Sequence, residues 1–164
     1  MTGAELKRKL FKSRNERMVI RMKVKEIMSK NIASVKSDDT VEKAAQMMKQ
    51  YDVGSIPVCR ENSVVGIVTD RDITLRSAAE GCDTKQQKVS EIMSANPVVG
   101  DPEMDVDDAA RIMSEKQIRR LPIVQNNSLV GYVALGDISV EPALKEDAAE
   151  ALSDISQPGH NQFS

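Results

Sequence analysis

Shifted by 65 residues, this sequence lies on itself without a gap: residues 24–74 align with 89–139, and 18 of the 51 pairs are identical where chance would give about three. Val24-Lys25-Glu26-Ile27-Met28-Ser29 returns as Val89-Ser90-Glu91-Ile92-Met93-Ser94. Asn31 returns as Asn96, Pro57 as Pro122, and Asn62-Ser63 as Asn127-Ser128; Gly66, Val68, Asp72 and Ile73 return as Gly131, Val133, Asp137 and Ile138. Such a duplication restricts the chain to folds built from two copies of one unit. The period is too long for a solenoid, and a unit of about 60 residues buries a modest fraction of its surface alone. The two copies are therefore expected to pack about a pseudo-twofold axis, with the grooves between them as natural binding places.

Each copy reads as a β-α-β-β-α unit, so the predicted class is α+β. It opens with a short helical turn, Lys25–Ser29 or Ser90–Ser94, and an extended piece, Ile32–Val35 or Val98–Val99. An amphipathic helix follows, with acids at its start (Asp38, Asp39, Glu42; Asp105, Asp107, Asp108) as the helix dipole favours. Val41, Ala44, Ala45, Met48 and Tyr51 mark one face at helical spacing, repeated by Val106, Ala109, Ala110 and Met113, and the methionines read as core. The next strand, Ser55–Cys59 or Arg120–Val124, carries a proline, which suits an edge or a strand's start. Polar turns then lead into Val64–Thr69 or Leu129–Ala134, completing a hairpin, and a second helix leaves from that strand. Pro142 breaks the chain, and Leu144–Ile155 reads as a terminal helix that packs on the body or on a second subunit.

Chemistry concentrates at the corner where the last strand runs into its helix, Gly66-Ile67-Val68-Thr69-Asp70-Arg71-Asp72. A helix start offers unpaired N–H groups and partial positive charge. Thr69 and Asp72, three residues apart, fit a capping box; they equally fit a grip on a sugar diol, since a carboxylate accepts two O–H donors. The second corner has Ala134 and Asp137, so it keeps the acid without the hydroxyl, which suits either dipole stabilisation or hydroxyl binding. Arg119 and Arg120 stand where the first copy has Gly54 and Ser55; they read either as a phosphate clamp or as a solvated pair on opposite strand faces. Gly54 leaves room for a close backbone approach or makes a turn, and Arg71 either reaches an anion or pairs with Asp70 or Asp72.

Other functions find little support. Two Phe, two Tyr and no Trp argue against a stacking nucleic-acid surface. There is no apolar run long enough for a membrane span. The only histidine, His160, lies in the tail, and no nucleophilic triad, P-loop or dinucleotide fingerprint occurs, so an enzyme is not expected. Cys59 and Cys82 fit no metal or redox spacing and suit a reducing cytoplasm. The net charge of −2 conceals a split: residues 1–21 hold seven basic residues and two acids, leaving an acidic body. That leader suits contact with nucleic acid or anionic lipid, or is an appendage with Met22 the natural start, or a disordered basic segment, and it is set aside from the functional argument.

At this point the residues carry a family likeness. The duplicated unit resembles the CBS domain, and the tandem resembles stand-alone bacterial CBS-pair (Bateman) proteins over roughly residues 22–140. Val-Lys-Glu-Ile-Met-Ser, Asp-Val-Gly-Ser-Ile-Pro-Val, Gly-Ile-Val-Thr-Asp-Arg-Asp-Ile and Gln-Ile-Arg-Arg-Leu-Pro-Ile-Val carry it. The resemblance implies a regulatory module that binds adenosine-containing ligands (AMP, ADP, ATP or S-adenosylmethionine) in clefts between repeats, with no obligatory cofactor. It also implies a homodimeric disc of two modules. By the family pattern Thr69 and Asp72 hold the ribose, Asn96, Pro97 and Val98 give main-chain contacts to the base, and Arg119 and Arg120 meet phosphates. By symmetry Asp137 serves the other cleft with Asn31, Ile32 and Ala33, and Ala134 departs from the pattern there.

The sequence therefore predicts a leader over 1–21, repeats over 22–80 and 89–141 joined by a linker over 81–88, a C-terminal helix over 142–156 and a disordered tail over 157–164. The expected function is sensing of an adenine nucleotide by a cytoplasmic homodimer that alters a separate effector protein, with neither membrane nor nucleic acid as partner. The rival is a ligand-independent interaction or dimerisation module.

Overall fold

The computed structural model describes residues 21–157, preceded by two short strands, β1 (Phe11–Lys12) and β2 (Met18–Val19), that pair antiparallel. The rest of the expected leader, and the tail beyond Gln157 with His160, lie outside the described residues.

The class is α+β, and both repeats follow the order read from the sequence except that Val98–Val99 forms no strand; Gly100 alone bridges Ile123 there, in parallel. In the first, the helical turn α1 (Val24–Ile27) leads to a short strand β3 (Val35–Lys36) and helix α2 (Val41–Tyr51). A hairpin of β4 (Ser55–Arg60) and β5 (Ser63–Thr69) follows, then α3 (Asp70–Ile73), which continues as a π-helical turn over Thr74–Ala78. The second repeat gives α4 (Val89–Ile92), β6 (Ser94–Ala95), α5 (Val106–Glu115), the hairpin β7 (Arg120–Gln125) and β8 (Ser128–Ala134), and α6 (Leu135–Ser139). A 3-10 turn at Pro142–Leu144 opens the terminal helix α7 (Lys145–Ser156), close to where the sequence places it.

The chain divides into two compact units that exchange the leading segments of the repeats. One holds Lys30–Val99 with the hairpin end Val124–Gly131; the other holds the described chain up to Ser29, Gly100–Ile123 and the residues from Tyr132 onward. The leading turn of the second repeat thus belongs with the body of the first, and the reverse.

In the Lys30–Val99 unit the strand order is β3-β4-β5-β6. β3 runs parallel to β4 through Val35–Val58 and Lys36–Cys59, and β5 is antiparallel to β4 from Ser55–Thr69 to Arg60–Ser63. Pro57 escapes the two-residue β3 pairing, which satisfies its lack of an N–H donor. β6 adds to the far edge of β5, with Ala95 opposite Gly66 and Ser94 opposite Ile67. This corrects the helical reading of Ser90–Ser94: the helix ends at Ile92 and Ser94 is strand, because the edge of β5 supplies partners that no local pattern announces. Gly66 permits the approach, since a Cβ there would collide with Met93 Sδ and sit 3.0 Å from the Ser94 carbonyl oxygen. Val35, Val41, Ala44, Ile56, Val58, Val68, Val89 and Ile92 form the core. The linker also caps α2: Val41 and Glu42 N–H donate to the carbonyls of Gln87 (3.0 Å) and Thr84 (3.0 Å), while Thr40 Oγ1 accepts from Lys43 N–H (3.2 Å).

The other unit repeats the scheme with the partners reversed. Val24 N–H donates to Met104 O (2.9 Å), Val106 N–H donates to Met22 O (2.9 Å), and Ser29 bridges Tyr132 through both backbone groups (2.9 and 3.0 Å). Helix α7 packs on α5 and α6, burying Ala148 and Ala151. That packing explains a difference between the two amphipathic helices. Ala110 of α5 is buried, but its counterpart Ala45 of α2 is exposed, as is Tyr51. The apolar face of α2 is therefore narrower than the sequence predicted, since no terminal helix covers that side within its unit.

Candidate functional site

At the first corner the β5 ladder ends on Thr69, whose extended backbone makes it the N-cap of α3. Its hydroxyl accepts from Asp72 N–H (3.0 Å) and donates to Asp72 Oδ2 (2.8 Å), while Thr69 N–H donates to the same oxygen (2.9 Å). The capping box foreseen in the sequence is complete. It leaves Asp72 Oδ1 facing Arg76 Nε at 3.6 Å, with capacity to accept a further hydrogen bond. Asp72 is buried, so only that edge of its carboxylate is available to a ligand. Gly54 is the close approach anticipated for it: its carbonyl accepts from Asp70 N–H (2.9 Å), and a Cβ would meet Asp70 Oδ2 at 3.1 Å.

The second corner retains half of this device. Ala134 has no acceptor for the Asp137 N–H, but Asp137 Oδ2 still takes the Ala134 N–H at 2.7 Å. Retention of the acid without the hydroxyl thus has a structural reason: an N-cap N–H still needs its partner. The Arg119 carbonyl plays the role of the Gly54 carbonyl, accepting from Leu135 N–H at 2.9 Å. Arg119 and Arg120 therefore stand at the second corner, in the same unit as Asp137, where they line an open groove of about 470 Å3 with Lys145.

The remaining anticipated residues divide. The Arg71 side chain is exposed, and its N–H donates to Asp70 Oδ1 (2.7 Å). The carboxylate of Asp72 is paired by Arg76 instead, a residue the sequence reading passed over. Its i+4 spacing from Asp72 was the available signal. Arg76 Nη1 also donates to Ile92 O (2.9 Å), tying the corner to α4. Asn96, Pro97 and Val98 share a unit with Thr69. Asn96 adopts left-handed backbone (φ 52°) and donates its N–H to Val65 O (3.2 Å). Val65 precedes Thr69 by four residues, about 13 Å along a strand at 3.3 Å per residue. Asn96 and Thr69 thus meet β5 at separate points rather than adjacent ones. Asn31 is exposed, Ile32 lines a shallow surface groove with Lys30, Ser34 and Glu61, and the side chain of Ala33 is committed to the core.

Charge elsewhere is arranged for structure. At Asp39 burial pushes the carboxyl up, but hydrogen bonds from Lys43 Nζ (2.8 Å) and Lys36 N–H (2.8 Å) outweigh it and hold it below its ordinary range. Burial pushes the Cys59 thiol up, which leaves it a poor nucleophile, and both cysteines are free. Among the described residues no cluster of three or more His, Cys, Asp or Glu is placed to hold a metal, and no helix is long and apolar enough to cross a membrane.

The CBS domain pattern matches residues 24–78 and 89–142. The chain belongs to the CBS-domain family. Among relatives of this CBS pair, the CBS domain-containing protein YhcV of Bacillus subtilis is 48% identical over 133 residues, covering 81% of this chain and 94% of that protein. Hypoxic Response Protein I, solved with two coordinated zinc ions, superimposes with a TM-score of 0.68 at 29% identity, over 73% of this chain and 98% of that one. The CBS domain pair of protein MJ0100, solved in complex with 5'-methylthioadenosine and S-adenosylmethionine, superimposes with a TM-score of 0.66 at 29% identity. That match covers 73% of this chain and 94% of that one.

Proposed function

We propose that this CBS pair is a regulatory module, not an enzyme, that binds an adenosine-containing ligand at its strand-to-helix corners and alters a separate effector protein in the cytoplasm, as a homodimer. The observation that carries the reading is the Thr69–Asp72 corner. There a buried carboxylate is pre-oriented by two donors on Oδ2 and keeps Oδ1 for a ribose hydroxyl. The adenosine compounds held by the MJ0100 pair support the ligand class. Asn96–Val98 offer main chain to the base, and Arg71 lies at the exposed start of the same helix. Asp137 is the weaker counterpart in the other unit, where Arg119 and Arg120 meet phosphate; Asn31–Ala33, expected to serve it, belong to the Lys30–Val99 unit. Ligand binding regulates only through different affinity for two states of the module.

Calorimetric titration with AMP, ADP, ATP, S-adenosylmethionine and 5'-methylthioadenosine tests this. At least one is expected to bind below millimolar Kd, and Asp72→Asn, close in shape to the native residue, to weaken it about tenfold or more. Absence of heat with all five at millimolar concentration would sink the proposal. Together with a pull-down insensitive to nucleotide, that result would establish the rival, a ligand-independent interaction module.

A further inference from the structure

Helix α7 contributes a cation to the groove at the second corner. Arg119 and Arg120 approach it from the start of β7, and Lys145 from the first turn of α7, while no carboxylate lines it. Leu135, Ala148 and Leu152 supply an apolar wall. Three like charges around one groove repel one another in a chain whose formal net charge is −2. Lys145 is also misplaced for its own helix. It occupies the first position of α7, where the dipole disfavours a cation, although Glu146 and Asp147 follow it. Both costs disappear when a multiply charged anion lies among the three side chains.

We infer that Lys145 brings α7 to the phosphates assigned above to Arg119 and Arg120, so that a nucleoside di- or triphosphate at the second corner fastens α7 to the body of its unit. The nucleoside part rests on the reading proposed above; the contribution of α7 is additional to it. Guanidinium groups suit bidentate phosphate contacts and the lysine acts as a point charge, so the groove selects for phosphate number. The apolar wall accepts the face of a ring. Linkage makes the effect reciprocal: a ligand that contacts Lys145 holds α7 in place, and a docked α7 raises affinity for that ligand. The output of the module then includes the state of its terminal helix.

The test uses the full chain, with calorimetry against ATP, ADP, AMP and adenosine and with amide hydrogen exchange across 145–156. Affinity is expected to rise with phosphate number, and exchange in α7 to slow several-fold when ATP is saturating. Lys145→Gln is expected to weaken ATP about tenfold, to leave adenosine unchanged and to abolish the ATP-dependent slowing. Exchange in α7 without ligand should not accelerate in this variant, since removal of a cation from a helix start favours the helix. ATP binding equally tight in wild type and Lys145→Gln, with α7 exchange indifferent to ATP, overturns this inference and leaves the adenosine reading intact. Absence of binding by all four compounds overturns both.

Discussion

Thr69 and Asp72 saturate one another: the threonine hydroxyl donates to Asp72 Oδ2 at 2.8 Å while accepting from Asp72 N–H at 3.0 Å. A hydroxyl with one proton to give has given it, so on the proposed reading a ligand at this corner meets Asp72 Oδ1, beside Arg76, before it meets the threonine. On the proposed reading, capping and binding are one arrangement, in which the cap fixes the rotamer that presents Oδ1.

Substitution at the cap separates stability from recognition. Thr69→Ala turns the first corner into a copy of the second and is expected to cost about 1 kcal/mol in urea unfolding, with Thr69→Ser close to wild type. The reverse change, Ala134→Thr, places a hydroxyl at an N-cap with extended backbone (φ −100°, ψ 153°) and an acid already waiting at Asp137. It should gain about 0.5–1 kcal/mol. A loss of stability in Ala134→Thr would show that the two corners are not equivalent as caps.

Arg76 joins the corner to the leading turn of the second repeat through Ile92 O (2.9 Å) and Asp72 Oδ1 (3.6 Å). Its side chain is 39% exposed, so solvent screens the ion pair and the carbonyl contact dominates. Arg76→Ala is expected to cost about 1 kcal/mol and to accelerate amide exchange selectively in Ile92–Ala95. Uniform acceleration across the unit, with no excess in that segment, would contradict the tie.

What the sequence made legible was everything carried by local period and duplication: the amphipathic helices, the two hairpins, and the corners with their acids. What it concealed were relations between segments far apart in the chain. Val24 and Val89 look like openings of their own repeats, yet their N–H groups bond to Met104 and Asp39 of the opposite repeats. Hydrophobic period reports that Val24 is buried, not against what. Ser94 was misread for the same reason, because its strand state exists only through β5. Asp137 suits dipole stabilisation or hydroxyl binding by its sequence; its bond to the Ala134 N–H is the part that no side-chain pattern announces. Helical spacing puts Ala45 and its copy Ala110 on the same apolar face, and only the position of α7 distinguishes them.

Gly66 is a close approach in the exchanged packing. Gly66→Ala forces Met93 Sδ aside and presses on the Ser94 carbonyl, and Gly66→Val cannot be absorbed by movement of one side chain. Losses of about 1 and 3 kcal/mol are expected, respectively, in chemical denaturation. Met93→Ala introduced with Gly66→Ala should recover part of the loss, because the thioether is the nearer obstacle. A double variant whose loss equals the sum of the two singles would show that Met93 and position 66 do not meet.

The junction of α5 and α7 should respond to pH in a direction fixed by Asp107. Its side chain stays largely open to solvent, yet partial burial pushes its carboxyl above the ordinary range, helped by Asp147 of α7 and by Asp105 and Asp108 of its own helix, and opposed by Arg21. Glu150 and Asp154 of α7 line the same groove; Asp154 accepts from Ser114 Oγ (2.7 Å), and Arg111 faces it from α5. A raised folded-state value means that the folded chain binds this proton more tightly than the unfolded chain. Its contribution is therefore full below the ordinary carboxylate range and is lost as pH rises through the raised value. Asp39, held low, has the opposite sign and contributes above that range. Asp107→Asn removes the repulsion from Asp147 and should be more stable than wild type at pH 7, with the gap closing toward pH 4. Urea midpoints of the two proteins across that interval check it. A gap that is constant with pH would assign the effect to helix propensity or packing, and a variant less stable at pH 7 would reverse the sign argued for the carboxylate pair.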